Sequence, residues 1–238
     1  MHLTIVIPAF NTARYIQKCI ESVFVQIHKD IDILVVDDGS TDETLKVIHK
    51  FIPEYPVSVI QLDKNKGVTY ATHQGIISAR GPIITILDSD DLLLPNSLHM
   101  GVVPFDDPEV GFVWTKFMKS TGKMGWSRAI NPTRSLWQEM MYHNWWKASH
   151  QRFFRKTTYL ESLQLNTAIK RSSDYQLVML LALTGCKTIH VPYVTYWYRM
   201  KRQGSITSEG SDKQKQAVVS IKEWITKQIH KRGIHEPK

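Results

Sequence analysis

The chain is predicted to be an α/β protein built on a mostly parallel central sheet flanked by helices. Three observations lead there. Strand and helix signals alternate through the first hundred residues, the order that demands parallel strands joined by crossover helices. The strand-like runs are short, β-branched and continuously apolar, as in strands covered on both faces. Two of them run straight into carboxylates, Asp37-Asp38-Gly39 and Asp88-Ser89-Asp90-Asp91, at the strand ends where open α/β sheets bind ligands.

Leu3–Pro8 reads as the first strand, and Asn11 or Thr12 can cap a helix reaching about Gln26. Ile33–Val36 is the second strand. Ser40-Thr41-Asp42-Glu43 has the spacing of a capping box, serine at the cap and glutamate three residues on, and opens a helix to about Phe51. Val57–Leu62, the turn Asn65-Lys66-Gly67, a helix over Thr69–Ala79 and the strand Ile83–Leu87 complete βαβαβαβ. The second half is less regular. Val110–Phe117 is strand-like, 118–150 is irregular and tryptophan-rich, Asp174–Leu183 is a helix closed by Gly185, and Lys187–Val191 and Val194–Met200 read as two strands. No Pro/Gly/Ser linker separates the halves, so residues 1–210 read as one domain: a ligand-binding half over 3–100, a second half over 101–210, then a basic helix and tail over 211–238.

The 238 residues suffice for a sizeable core, and 42% hydrophobic with 22% charged residues is ordinary for a soluble globular protein. No apolar run approaches the roughly 20 residues that span a bilayer, and no secretory leader is visible before Leu3. Cys19 and Cys186 read as small buried hydrophobes in a reducing compartment, so a cytoplasmic location is expected. The net charge of +8 is concentrated in 213–232, where six lysines and arginines face Glu223 alone. Ala217, Val218, Ile221, Trp224, Ile225 and Ile229 form an apolar stripe through that segment. It is either a terminal helix docked on the body or an amphipathic helix on the inner face of an anionic membrane. Nucleic-acid binding is not indicated, since no aromatics interleave with the basic run.

Three carboxylates in four positions at Asp88, Asp90 and Asp91 repel unless a cation sits among them. A hard divalent ion shared with substrate phosphates satisfies them, and the alternative is a solvated turn in which Asp91 or Asn96 caps the helix after Pro95. Two other phosphate devices are missing. There is no Gly-x-Gly-x-x-Gly, and Gly122-Lys123 lacks the rest of a P-loop. A haloacid-dehalogenase reading fails because the carboxylates do not follow the first strand.

Four separated segments then resemble, in order, the inverting glycosyltransferases of family 2, with the GT-A fold: Thr4 to Asn11; Val35 to Asp42; Asn65-Lys66-Gly67 with Gly75-Ile76; and Ala79-Arg80-Gly81 through Leu87 to Asp91. The likeness continues through Ser173-Asp174-Tyr175 and Tyr198-Arg199. It implies a sugar moved with inversion from a nucleotide-diphosphate donor, a UDP-sugar, to a glycan, lipid-linked glycan or other hydroxyl acceptor. Pro8, Ala9, Phe10 and Asn11 would border the nucleoside, Asp37 would accept from the base, and Lys64, Asn65 and Gly67 would shape its pocket. Asp88 would face the ribose and Asp90 would ligate Mn2+ or Mg2+, with Ser89 between them and Asp88 the second candidate metal ligand. The family's usual Arg and Asn fall on Thr72 and His73, and its Glu before the catalytic Asp is Ser173.

An inverting transfer needs a base for the acceptor hydroxyl. Of Asp106, Asp107, Glu109, Glu139, Glu161 and Asp174, the resemblance selects Asp174, whose alternative role is a helix N-cap. Five of seven tryptophans fall between 114 and 146, and Trp145-Trp146 are the acceptor-binding candidates, against the alternative of buried core. In Tyr198-Arg199-Met200-Lys201-Arg202, Lys201 replaces a metal-binding His of resembling enzymes, and Arg199, Lys201 and Arg202 are expected to meet the donor diphosphate. A sugar nucleotidyltransferase and a catalytically silent sugar-nucleotide or glycan-binding module are the competing readings.

Overall fold

A computed structural model of the chain describes residues 1–125, 135–142, 148, 150–200 and 211–237. The order is β1 (Leu3–Ala9), α1 (Ile16–Phe24), β2 (Ile31–Asp37), α2 (Thr44–His49), β3 (Val57–Gln61), α3 (Val68–Ser78) and β4 (Ile83–Ile86). There follow β5 (Leu92–Leu93), α4 (Ser97–Val102) with a 3-10 turn over Val103–Asp106, β6 (Val110–Lys119), α5 (Leu136–Tyr142), β7 (Arg152–Arg155), α6 (Lys156–Glu161), α7 (Ser173–Leu183), β8 (Lys187–Tyr198) and α8 (Ser211–Arg232).

One sheet holds all eight strands in the order β3-β2-β1-β4-β7-β6-β8-β5. The first four are parallel, as the alternation of elements requires. Beyond β4 the sheet is mixed: β7 runs antiparallel to β4 and β6, β5 antiparallel to β8, and β6 parallel to β8. Four of the seven strand pairings are parallel, so the expected mostly parallel sheet is present, with every antiparallel pairing beyond β4. β7 and α6 follow the stretch read as irregular, in residues to which no element was assigned, and the two expected strands after Gly185 are one strand, β8, whose register against β6 shifts near Trp114–Phe117.

Side chains alternate across β1, so Leu3, Ile5 and Ile7 enter one core with α1, α2 and α4, while Val6 enters the other beneath α3, α5, α7 and α8. α7 is apolar all round from Leu177 to Leu183, and every one of those residues is buried. Such a helix needs cover on its outer side as well. α8 supplies it: Ile221, Ile225 and Ile229, four residues apart, are buried in that core, so the docked reading of the C-terminal stripe is the one the fold adopts. Gly75 permits the matching approach of α3 on the opposite side of the core, since a Cβ there would lie 2.2 Å from Val6 Cγ1.

Helix starts differ from the sequence expectation. α1 begins at Ile16 after a turn, and Asn11 does not cap it; its Oδ1 accepts the Thr41 N–H at 2.8 Å instead. The capping box does not form: α2 begins at Thr44 with no side-chain cap bond, Ser40 Oγ accepts from Asn11 N–H, and Glu43 pairs with Lys46. Asn11 and Ser40 are drawn into tying the β1 and β2 turns together, a tertiary use that outweighs the local cap.

Candidate active site

The register of the parallel strands decides what meets at their carboxyl edge. Ala9 pairs with Asp37 and Asp37 with Gln61, while Leu87 N–H bonds Val6 carbonyl and carries β4 into Asp88 at the same edge. β1 has β2 on one side and β4 on the other, so this edge is the point where chain direction through the sheet reverses, the place where open α/β sheets form their ligand crevice. Pro8 and Ala9 are buried at this edge, and Phe10 and Asn11 just beyond them are exposed.

Asp37 is wholly buried; Oδ2 accepts the Ser40 N–H at 3.1 Å and Oδ1 has no hydrogen-bond partner. An orphaned buried carboxylate oxygen is costly unless a ligand donor completes it. Asp38, which the sequence reading passed over, accepts both Lys66 N–H at 2.7 Å and Gly67 N–H at 2.8 Å, and burial raises its carboxyl. It thereby fixes the turn carrying exposed Lys64 and Asn65 beside the crevice. Gly39, at φ +71°, makes the approach feasible, because a Cβ would sit 2.7 Å from the Lys64 carbonyl carbon.

In the acidic turn the three aspartates divide their work. Asp88 and Asp90 are half-buried and Ser89 is buried. Asp91 turns inward, is 1% exposed, and accepts Tyr196 Oη–H at 2.8 Å and Arg199 N–H at 2.7 Å. It is not a helix cap: α4 starts behind Asn96, which has left-handed backbone and no cap bond. Burial, then the charges of Asp88 and Asp90, push the Asp91 carboxyl well up. Asp91, expected either to join the cation-binding group or to cap a helix, instead anchors the turn to β8 and Arg199. Arg199 also grips the turn, its Nε donating to Asp90 carbonyl at 2.8 Å while its guanidinium lies 4.8 Å from both the Tyr15 and Trp197 rings. Cys19 lies beneath as a buried thiol on Asp88 carbonyl.

Two carboxylates that load charge on a buried third fit a divalent cation, with phosphate and water oxygens completing its shell. Among the described residues no group of three His, Cys, Asp or Glu side chains could hold a metal by itself. Lys201 and Arg202 lie outside the described residues, as do Trp145 and Trp146. Of the other tryptophans in that cluster, Trp114 and Trp137 are 1% and 0% exposed, which is core.

Asp174 lies on the first turn of α7. The helix starts behind Ser172, which makes no side-chain cap bond, so the N-cap alternative for Asp174 does not hold. Its side chain is 38% exposed, with Oδ2 3.7 Å from Arg152 Nη1. β7 pairs with β4 at Thr85–Phe153, so Arg152 stands close to the end of β4 and Asp174 is thereby brought to the acidic turn's side of the molecule. The other acids are placed elsewhere: Asp107 binds Lys187, Glu139 is buried on α5, and Glu161 ends α6. Thr72 and His73 have become structural; Thr72 is buried and His73 Nδ1 meets Tyr159 Oη at 2.7 Å, tying α3 to α6.

Comparison with known proteins agrees with this arrangement. The chondroitin synthase of Escherichia coli is 29% identical over 189 residues, 77% of this chain and 27% of that protein. The hyaluronan synthase of Pasteurella multocida is 30% identical over 204 residues, 82% of this chain and 20% of that protein. The chain thus spans about a quarter or less of the synthases it matches. S. aureus TarS in complex with UDP superposes with a TM-score of 0.69 at 20% identity, covering 84% of this chain and 61% of that one. The mannosyltransferase PcManGT of Pyrobaculum calidifontis, in complex with GDP-Man and Mn2+, gives 0.67 at 20% identity, over 85% and 58%. The shared architecture is the GT-A fold. Residues 4–173, most of the chain, match the model of Glycosyl transferase family 2, and the chain belongs to that family.

Proposed function

We propose that this chain moves a sugar from a UDP-linked donor to a hydroxyl of a glycan or lipid-linked glycan acceptor, with inversion and with Mn2+ or Mg2+ at the acidic turn. The observation that supports the reading is the strand register, which sets Ala9, Asp37 and the start of the Asp88–Asp90 turn along one edge. The synthase relatives, and the UDP and UDP-GlcNAc in TarS complexes, support the donor class.

The orphaned Oδ1 of Asp37 accepts an N–H of the base, and Pro8, Ala9, Phe10, Asn11, Lys64, Asn65 and Gly67 enclose the nucleoside. Asp88 and Asp90, with Ser89 between them, would hold the cation, which when bound supplies charge neutralisation to the leaving diphosphate. Arg199 keeps that turn in place, and Lys201 and Arg202 follow it in the chain toward the same phosphates. Asp174 takes the proton of the acceptor hydroxyl as its oxygen bonds the anomeric carbon. The bond from that carbon to the diphosphate oxygen breaks on the opposite face, its electron pair leaving with the diphosphate, so the configuration inverts. Trp145 and Trp146 would flank the acceptor.

Residues 3–100 then form the donor half and 101–210 the acceptor half of one GT-A domain. Among the described residues no helix is long and apolar enough to cross a membrane. Because the α8 isoleucines are packed inward, contact with an anionic membrane surface would rest on the exposed Lys213, Lys215, Lys227, Lys231 and Arg232 alone. The test is a panel of nucleotide sugars in thermal-shift assays with and without Mn2+, followed by nucleoside diphosphate release on adding saccharide acceptors. A UDP-sugar should raise the melting temperature only with the metal. Stabilisation by GDP-sugars alone would overturn the nucleotide assignment, and full turnover in chelator would overturn the metal.

A further inference from the structure

We propose that Arg152 is a positioning residue for the base, a buried guanidinium held on one side by His150 and fixing the Asp174 carboxylate on the other. The inference rests on the reading of Asp174 as the base.

Arg152 is 3% exposed, and a permanent charge taken out of water needs a counter-charge and hydrogen-bond acceptors. It has little of either. Among the described residues Nε and Nη1 have no hydrogen-bond partner, and Asp174 Oδ2 lies 3.7 Å from Nη1, near enough for Coulomb attraction and too far for a hydrogen bond. A pair kept for stability alone would close this gap into a fork. Here the donors instead face a carboxylate that stays 38% exposed, and so is free to meet a substrate hydroxyl.

The other end of the guanidinium is rigid. Nη2 lies 3.2 Å from His150 Nδ1, and because arginine only donates, Nδ1 must be the bare acceptor of a neutral imidazole. Burial, helped by the Arg152 charge, holds the His150 pKa well below its usual value, in keeping with that state. The imidazole is stacked on Tyr196 at 4.8 Å and Tyr198 at 5.3 Å, with Phe117 edge-on. Tyr196 Oη donates to Asp91 and accepts the Asp88 N–H. A continuous row of contacts therefore runs from Asp174 through Arg152, His150 and Tyr196 to the acidic turn. Arg152 sets the spacing between the proton acceptor and the group that receives the diphosphate.

The experiment compares initial rates of Arg152→Gln, Arg152→Lys, Asp174→Asn and the Arg152→Gln/Asp174→Asn double variant, using the nucleotide sugar identified by the panel. Arg152→Gln should lower kcat about 30-fold, within the range that small misplacement costs, with donor KM within about twofold because Asp37 and the acidic turn are untouched. Lysine, restoring charge without the fork, should recover part of the loss. The double variant should be no slower than Asp174→Asn, since Arg152 acts through the base. A kcat for Arg152→Gln within threefold of wild type, or a double variant slower than Asp174→Asn by the full Arg152 factor, would overturn the inference while leaving the base in place. Near-normal transfer by Asp174→Asn would overturn the base itself and this inference with it. If Arg152→Gln does not fold, Arg152→Lys alone and with Asp174→Asn answers the same question.

Discussion

The two sides of the sheet reach the crevice by different means. From β3 to β4 every strand is parallel, and the carboxylates that follow β2, Asp37 and Asp38, accept backbone N–H groups of neighbouring turns. From β7 to β5 the strands are mixed, and position depends on buried polar side chains. Gln151 bonds Thr85, Thr115 meets Thr195, and Arg152 stands between His150 and Asp174. The first side is a backbone scaffold that many sequences can build. The second is a side-chain network, which a single substitution can redirect.

The contrast can be broken most sharply at the acidic turn. Asp90→Asn should abolish both donor binding and turnover with Mn2+, measured by calorimetry and diphosphate release, because the cation loses a charged ligand. Asp174→Asn should leave donor binding intact and slow transfer at least ~100-fold. Equal loss of donor binding in both variants would erase the division between the two sides.

Whether the sides unfold as one can be read at α8. Ile225 is fully buried against the core that contains α7, so Ile225→Ala should lower stability by about 2–4 kcal/mol within a single denaturant transition. Two separate transitions would show independent halves. A smaller effect is pH dependence. His150 is neutral in the fold but protonates near pH 6.5 once unfolded, so the unfolded state binds the extra proton and stability falls as pH drops below about 6.5. The slope from this residue should approach 1.4 kcal/mol per pH unit. Half-buried His73 and His190 are shifted the same way and add less. His150→Phe, though less stable at pH 7.5, should flatten the curve, and an unchanged slope would mean that other groups carry it.

The legibility of the sequence follows the same line. Parallel strands covered on both faces announce themselves as apolar β-branched runs, so the position of Asp37 and of the Asp88–Asp90 turn at the strand ends could be read from local pattern. β7 could not: Arg152-Phe153-Phe154-Arg155 is four residues long, flanked by charge, and becomes a strand only because β4 and β6 present edges for it. Asp38 and Asp91 were hidden for another reason. Each stands beside a more prominent aspartate, and only burial and hydrogen bonding reveal which of two neighbouring carboxylates supports the turn and which faces the ligand. Asp174 was chosen by resemblance, and nothing in its local sequence pointed to Arg152, twenty-two positions earlier and on a different element.

The sandwich of Arg199 between Tyr15 and Trp197 has an optical consequence. The indole is 4.8 Å from a cation whose Nε holds the Asp90 carbonyl, so any shift of that turn on loading changes the charge next to the chromophore. Trp114 and Trp137 are sealed in the core and should be silent. Because the chain has seven tryptophans, the difference in emission between the parent chain and Trp197→Phe should report occupancy of the acidic turn without a label, and that difference should persist in an Asp174→Asn background.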